Sequence, residues 1–383
     1  MKNISRMILL PLALAGCLAT TSASTARMLR TADSAADSIR TSTPADTALA
    51  TRPATPESPG PAEPDTLRSA GDSAAHPVAA FLRPRYLKRG DTVAIVSPAG
   101  RMALKTDTAK IRRRFEQWGL HVRYGAHYAD RSQPYFAGTD AQRAADLQQM
   151  IDDPAVRAII AFRGGYGSVR LLPRLDFSPL CRDPKWLVGF SDITTLHLVM
   201  RNLRIESIHG PMPAGFRFDD EEEDLSAESL REALFGLTQQ IDTEPHPLNI
   251  PGCASGRLAG GNLTVLCAAI GTPEELRAEE PTVLFIEEVG EFVYRLDRMM
   301  QSLHRSGALR NVKAVVVGHL TDMMGQRKFG VEDAGEVLAE QLRPLGIPVL
   351  FGLPAGHEEP NLALYLGREV TVTVTPEGGN IRF

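Results

Sequence analysis

Continuous apolar runs alternate with amphipathic ones between residues 91 and 209, and that alternation leaves the chain few architectures. Asp91–Val96 (DTVAIV), Ala155–Phe162 (AVRAIIAF) and Trp186–Phe190 (WLVGF) carry apolar side chains on both faces. Strands of that kind need cover on both sides, which is the condition of a parallel sheet held between helix layers. Helices predicted over Lys105–Trp118, Ala141–Ile151 and Asp192–Asn202 supply the cover, with Ile111, Phe115 and Trp118 marking the apolar stripe of the first. His121–Tyr124 and Ser207–His209 read as two more strands.

The pattern breaks at the acidic run Asp219–Asp224, and Pro245, Pro247 and Pro251 follow, so a linker is placed over 216–255. The acidic run itself reads as a solvated loop. Beyond it, Gly256–Asn262 (GRLAGGN) leads into a helix through Ile270. Strands are predicted at Thr282–Ile286, Val312–Val317 and Pro348–Phe351, and helices at Tyr294–Arg305 and Val331–Leu342. Ala363–Leu366 and Glu369–Thr375 alternate as antiparallel strands around a Gly-rich turn. The expected fold is α/β: a mostly parallel N-terminal α/β domain over 81–215, and a C-terminal α/β domain over 256–383 that ends in antiparallel strands.

Upstream of this body the composition changes. From Leu18 to Ala80 there is no Phe, Trp or Tyr, while Pro44, Pro53, Pro56, Pro59, Pro61 and Pro64 punctuate an Ala/Ser/Thr-rich stretch. Such a segment cannot bury enough apolar surface to offset its ordering entropy, so 18–80 reads as a disordered tether with a reach of about 45 Å. Residues 1–17 (MKNISRMILLPLALAGC) join a basic start, Lys2 and Arg6, to an apolar run too short to span a bilayer. That is a secretory signal. Leu14-Ala15-Gly16-Cys17 is similar to a bacterial lipobox, which implies lipidation of Cys17, an anchor in a bacterial membrane and a body on its periplasmic side, in the cell envelope. Export weighs against chemistry that needs a nucleoside triphosphate pool.

Composition excludes several classes. With 42 basic and 46 acidic residues the chain has no nucleic-acid signature. Four cysteines in 383 residues, without CxxC spacing, make neither a disulfide scaffold nor a structural zinc site. Cys267 lies in an apolar helical run and reads as a buried small hydrophobe. No metal or cofactor signature is present.

Gly189-Phe190-Ser191-Asp192 sits where an apolar strand gives way to a helix. A sharp turn there exposes a hydroxyl beside a helix N-terminus, whose free N–H groups suit a developing oxyanion. Ile193 stands where such an elbow usually has a second Gly, and Ser191 or Asp192 would equally serve as a helix cap. Arg163-Gly164-Gly165-Tyr166-Gly167 lacks a phosphate-loop pattern. It suits glycine N–H groups approaching a substrate carbonyl, or a plain tight turn. A serine nucleophile needs a base, and His209, His319 and His357 all lie at strand ends, where α/β sheets gather their sites. The base needs an acceptor. Glu287 and Glu288 end a strand, with Glu291 close behind, and strand alternation sends the first two to opposite faces.

Taken together, the segments GGYGSVRLLPRLDF, GFSDITTLH, IHGP, GRLAGGNLTVL, LFIEEVGEFVYRLDRMMQSL and GIPVLFGLPAGHEEPNLALYLG resemble the LD-carboxypeptidase family of serine peptidases, over residues 88–380. That family includes murein tetrapeptide carboxypeptidases and microcin C self-immunity peptidases. The resemblance implies a metal-free Ser-Glu-His triad falling on Ser191, Glu287 and His357. Members often carry Tyr at the position of Phe190, Glu-Asp at the Glu287–Glu288 pair, and a shorter polar run after His357. Since Ser191 precedes the linker and the other two follow it, the active site is expected in the interdomain cleft. The N–H groups of Gly165 and Asp192 become the expected oxyanion donors, with Arg163 and Arg295 as candidates for holding a terminal carboxylate. The implied substrate is a muropeptide, cut between the L-centre of meso-diaminopimelate and a terminal D-alanine. Family members that recycle murein act in the cytoplasm, whereas the export signal would bring this chain to wall peptides before uptake. The family also suggests a homodimer. Two other readings remain: a hydrolase of peptide-nucleotide amides, as in the immunity type, and a peptide-binding lipoprotein without turnover.

Overall fold

A computed structural model describes residues 80–218, 223–277, 279–325 and 333–383. The signal segment with Cys17, all of the tether but Ala80, residues 219–222 of the acidic run and the first two positions of the helix expected from Val331 lie outside the described residues.

The first sheet has the order β11-β5-β4-β3-β1-β2. It comprises β1 (Thr92–Val96), β2 (His121–Tyr124), β3 (Val156–Ala161), β4 (Trp186–Gly189), β5 (Ser207–His209) and, from much later in the chain, β11 (Leu364–Leu366). All pairings are parallel except that of β11 with β5. Alternation along β1 shows why both faces had to be apolar. Val93 and Ile95 pack with Ile111 and Phe115 of α1 (Thr108–Gln117). Ala94 and Val96 pack with Leu147 and Met150 of α2 (Asp140–Asp152) and with Leu196 of α3 (Thr194–Asn202). Each large aliphatic side chain so buried contributes about 1.5–3 kcal/mol. Local signals agree with the packing: Asp107 caps α1, and Thr139 with Gln142 forms a capping box on α2.

Among the described residues, much of the stretch expected as a linker is structured. It holds α4 (Leu225–Phe235), capped by Asp224, and β6 (Gln240–Thr243). The Gly-rich run 256–262 belongs to an eleven-residue strand, β7 (Gly252–Asn262). Its glycines let β7 lie close to its neighbours in the middle of a sheet: a Cβ on Gly260 would run into the Phe285 carbonyl of β8.

The second sheet has the order β10-β9-β8-β7-β12-β13-β6. Here β8 is Thr282–Val289, β9 Val312–Thr321, β10 Val349–Leu350, β12 Glu369–Thr375 and β13 Gly378–Arg382. The β10-to-β7 part is parallel and the β7-to-β6 part antiparallel. One face is covered by α5 (Leu263–Ala268), α6 (Val293–Ser306) and α7 (Ala334–Leu342). On the other, Val283 and Phe285 pack with Leu364 and Leu366 of β11, so the two sheets share a core and the described residues form one compact unit. Across the junction, the Asn262 N–H donates to Thr194 Oγ1 at 3.0 Å. Cys181, Cys253 and Cys267 are free thiols. Cys267 is half-buried, and burial pushes its thiol up to about 12.

Candidate active site

The end of β4 is held before it turns. His197, buried on α3, has Nε2 2.8 Å from the Gly189 carbonyl and Nδ1 2.8 Å from Ser207 Oγ. Burial lowers this imidazole to about 4, so at neutral pH it is uncharged, with Nε2–H donating to Gly189. Two residues on, Ser191 stands at φ +63°. A residue with a Cβ pays roughly 1–2 kcal/mol there. The chain then enters a 3-10 turn at Ser191–Ile193 and continues as α3. Ile193 explains its own departure from a glycine: it is fully buried, and its side chain folds over Gly189, where an added Cβ would lie 2.9 Å from Ile193 Cγ1.

The glycine-rich loop after β3 lies against this turn. A Cβ on Gly164 would come within 3.0 Å of Ser191 Cβ and 3.2 Å of its Oγ. Only glycine lets the backbone pass so close to the hydroxyl. The loop is tied to the elbow through Asp192, whose Oδ2 accepts from the Ser168 N–H at 2.9 Å while its carbonyl accepts from Ser168 Oγ at 2.8 Å. Asp192 is buried and its carboxylate is committed, so its main-chain N–H at the helix start is what it can offer a ligand. Buried Arg143 anchors the loop's far end, donating to the Gly167 carbonyl at 3.0 Å and to the Pro98 carbonyl.

The carboxylate pair at the end of β8 divides as strand geometry requires. Glu287 is fully buried, and its Oε2 lies 2.6 Å from His357 Nδ1. Glu288 accepts from Asn262 Nδ2 at 2.9 Å and from the Thr264 N–H at 2.7 Å, which closes the N-terminus of α5. Burial raises the Glu287 carboxyl above its ordinary range, with the His357 ring opposing that rise. His357 lies in the connection from β10 in the second sheet to β11 in the first, so it is carried across the junction. Its ring meets the Phe190 ring edge-on at 4.9 Å between centroids.

Ser191, Gly165, Arg163 and His357 line one cavity of about 490 Å³. Arg163 Nη1 donates to the Arg101 carbonyl at 3.2 Å. Arg295, the second candidate for a substrate carboxylate, is not brought there. Its side chain is exposed on α6 and pairs with Glu291 at 3.1 Å, because its position in the first turn of that helix places it on the solvent side. The other strand-end histidines are also elsewhere. His209 is sealed between the sheets against Phe285, and burial lowers it well below the ordinary imidazole value. His319 Nδ1 accepts from the Glu358 N–H at 3.1 Å.

Sequence reasoning missed the residues that hold the His357 loop in place. Ser226 on α4 accepts from the Asn361 N–H at 2.8 Å and donates to Glu359; Asn361 Oδ1 accepts from the Gly356 N–H at 2.9 Å. Asn361 stands in the quoted GHEEPN run and could have been singled out. Ser226 could not, since nothing in the sequence ties α4 to a loop so far along the chain.

A family model described as the LD-carboxypeptidase N-terminal domain matches residues 93–210, and one described as its C-terminal domain matches 255–372. The chain is 32% identical over 299 residues to the murein tetrapeptide carboxypeptidase of Pseudomonas aeruginosa, covering 76% of this chain and 94% of that one. It superposes on the crystal structure of muramoyltetrapeptide carboxypeptidase from Oxalobacter formigenes with a TM-score of 0.67 at 28% identity, covering 76% of this chain and 97% of that one. The microcin C7 self immunity protein MccF, in complex with aspartyl sulfamoyl adenosine, has a similar fold: TM-score 0.67, 24% identity, 80% of this chain and 99% of that one.

Proposed function

The chain belongs to the LD-carboxypeptidase family and is a peptidase, and on that premise we propose that it is a serine-type enzyme that removes the terminal D-alanine from murein tetrapeptide stems. The observation that carries this reading is the 2.6 Å contact between Glu287 Oε2 and His357 Nδ1 in a ring that shares its cavity with left-handed Ser191.

With Nδ1–H held by Glu287, His357 Nε2 is the free base. That nitrogen is placed to take the Ser191 proton as a general base. Ser191 Oγ attacks the carbonyl between the L-centre of diaminopimelate and D-alanine, and the oxyanion falls to the N–H groups of Asp192 and Gly165. Collapse breaks the C–N bond, the proton returns from Nε2 to the leaving amine, and D-alanine departs. Water, deprotonated by His357, then hydrolyses the acyl-enzyme. Arg163 is the residue suited to the departing residue's carboxylate.

The test is mass spectrometry of muropeptides incubated with the purified protein, with Ser191→Ala alongside. The tetrapeptide should shorten by one D-alanine with the native chain only. An unchanged tetrapeptide, or a Ser191→Ala protein that still releases D-alanine, overturns the reading. An aminoacyl-adenylate mimic in the same assay separates murein from peptide-nucleotide substrates. The sequence features at Cys17 support a lipid anchor on the periplasmic side of a bacterial membrane. Loss of acyl-chain labelling in Cys17→Ala is the expected result. A homodimer, suggested by the family alone, is tested by light scattering.

A further inference from the structure

Four side chains that can carry charge line the catalytic cavity among the described residues: Arg163, His357, Glu358 and Glu359. Three have work assigned by geometry. His357 is bound to Glu287, the Glu359 carboxylate accepts from Ser226, and Arg163 is anchored on the Arg101 carbonyl. Glu358 differs. Its backbone N–H is pinned to His319 Nδ1 at 3.1 Å, which fixes where the residue stands; its exposed carboxylate lies near enough for its charge to act on the His319 ring but accepts no hydrogen bond among the described residues. It forms part of the wall between the catalytic cavity and a neighbouring one of about 580 Å³ that is lined also by His246 and His319.

A second group in the same lining is also unused. Asn361 is 3% exposed, and its Oδ1 accepts from the Gly356 N–H at 2.9 Å, yet Nδ2 has no partner among the described residues. That hydrogen bond fixes which branch of the amide is oxygen, so Nδ2 is an available donor. A buried donor without an acceptor is costly, and natural proteins seldom keep one without use. Three positions apart on one loop, the chain therefore offers a solvent-facing carboxylate and an unpaired buried donor to the cavity that holds the nucleophile.

We propose that Glu358 and Asn361 form a subsite for a zwitterionic amino-acid centre carried on the side chain of the residue that donates the acyl group: Glu358 receives its ammonium and Asn361 Nδ2 its carboxylate. In the murein reading, on which this inference rests, that centre is the free D-end of meso-diaminopimelate. A lysine in its place offers the ammonium alone, and norleucine offers neither.

The experiment compares kcat/KM of the native chain and Glu358→Gln on three tetrapeptides that differ only at the third residue: diaminopimelate, lysine and norleucine. A charge-assisted hydrogen bond lost in a cleft corresponds to about 10-fold to 100-fold. The native chain should prefer diaminopimelate over norleucine by at least that factor, with lysine between them. Glu358→Gln should cut the preference about tenfold or more, yet leave the norleucine peptide within about 3-fold of its native rate. An equal loss on all three would mean that Glu358 only positions His357, and an unchanged preference would mean that it touches no ammonium; either overturns the proposal. Calorimetry with free meso-diaminopimelate separates this from the murein reading. If no peptide is cleaved but diaminopimelate binds the native chain and not Glu358→Gln, the subsite stands and the peptidase reading falls. If peptides are cleaved without discrimination and free diaminopimelate does not bind, the reverse holds.

Discussion

The backbone of Ser191 offers a test of the site that does not depend on turnover. At φ +63° a residue with a Cβ pays roughly 1–2 kcal/mol, and glycine pays none. Glycine in turn loses about 0.4–1 kcal/mol through the entropy of the unfolded chain. Ser191→Gly and Ser191→Ala both remove the hydroxyl, so their difference isolates the Cβ. The balance favours Ser191→Gly by about 1 kcal/mol, or roughly 2–3 °C in melting temperature for a body of this size. Thermal unfolding followed by circular dichroism, with urea titration of the same pair, reads the difference directly. Neither variant should release D-alanine. If Ser191→Gly melts at or below Ser191→Ala, the turn is not strained and the elbow argument fails, whatever the activity data show.

Other expectations follow from buried groups. Glu287 has its folded pKa raised, so the stability it contributes is full below its ordinary value of 4.5 and is lost as pH rises through the raised value. Glu287→Gln keeps an acceptor for His357 Nδ1–H and discards the buried charge. It should melt at or above the native temperature at pH 8 while kcat/KM falls by at least about 100-fold; marked destabilisation refutes the assignment. His197 is depressed to about 4, so its contribution is intact above 6.5 and is lost as pH falls from there towards 4. That loss is on the order of 3 kcal/mol, and urea titrations across the window should flatten in His197→Gln. Arg163→Ala should raise KM for the tetrapeptide about tenfold or more, whereas Arg295→Ala should leave kinetics unchanged; the opposite pattern would restore Arg295. Lys185, 1% exposed, donates to the carbonyls of Met150, Ile151 and Asp153 at the end of α2. Lys185→Met should cost about 2–4 kcal/mol in urea unfolding, because it strands those carbonyls; a cost under about 1 kcal/mol would show that solvent replaces the ammonium.

The sheets were legible where burial is two-sided. DTVAIV, AVRAIIAF and WLVGF announce parallel strands because no other element tolerates apolar side chains on both faces, and the helices between them show their stripes. Residues 225–262 were not legible, for two reasons. Proline and acidic residues in 216–255 masked α4, whose capped start lies just past the acid run. Glycines in 256–262 resemble a turn, although they allow an interior strand. The membership of β11 could not be read either: Leu364–Leu366 pairs with β5, some 155 residues earlier, and alternation records which face is buried but not which sheet.

That same pairing is why the site could be named residue by residue from motifs but not assembled from them. Ser191 hangs from β4, and Glu287 from β8, in different sheets. His357 can reach both only because its loop leaves β10 in one sheet and enters β11 in the other, and Ser226 and Ser229 on α4 hold that loop by accepting from the Asn361 and Ala363 N–H groups at 2.8 and 2.9 Å. The arrangement makes a coupling testable. Ser229→Ala, which touches no charged group of the cavity, should cost about 1 kcal/mol of stability, and it should lower kcat more than it raises KM, because it loosens the imidazole and leaves the carboxylate-binding Arg163 untouched. If Ser229→Ala instead raises KM alone, or leaves both constants as they were, then α4 does not position the base, and the loop holds His357 by its own packing.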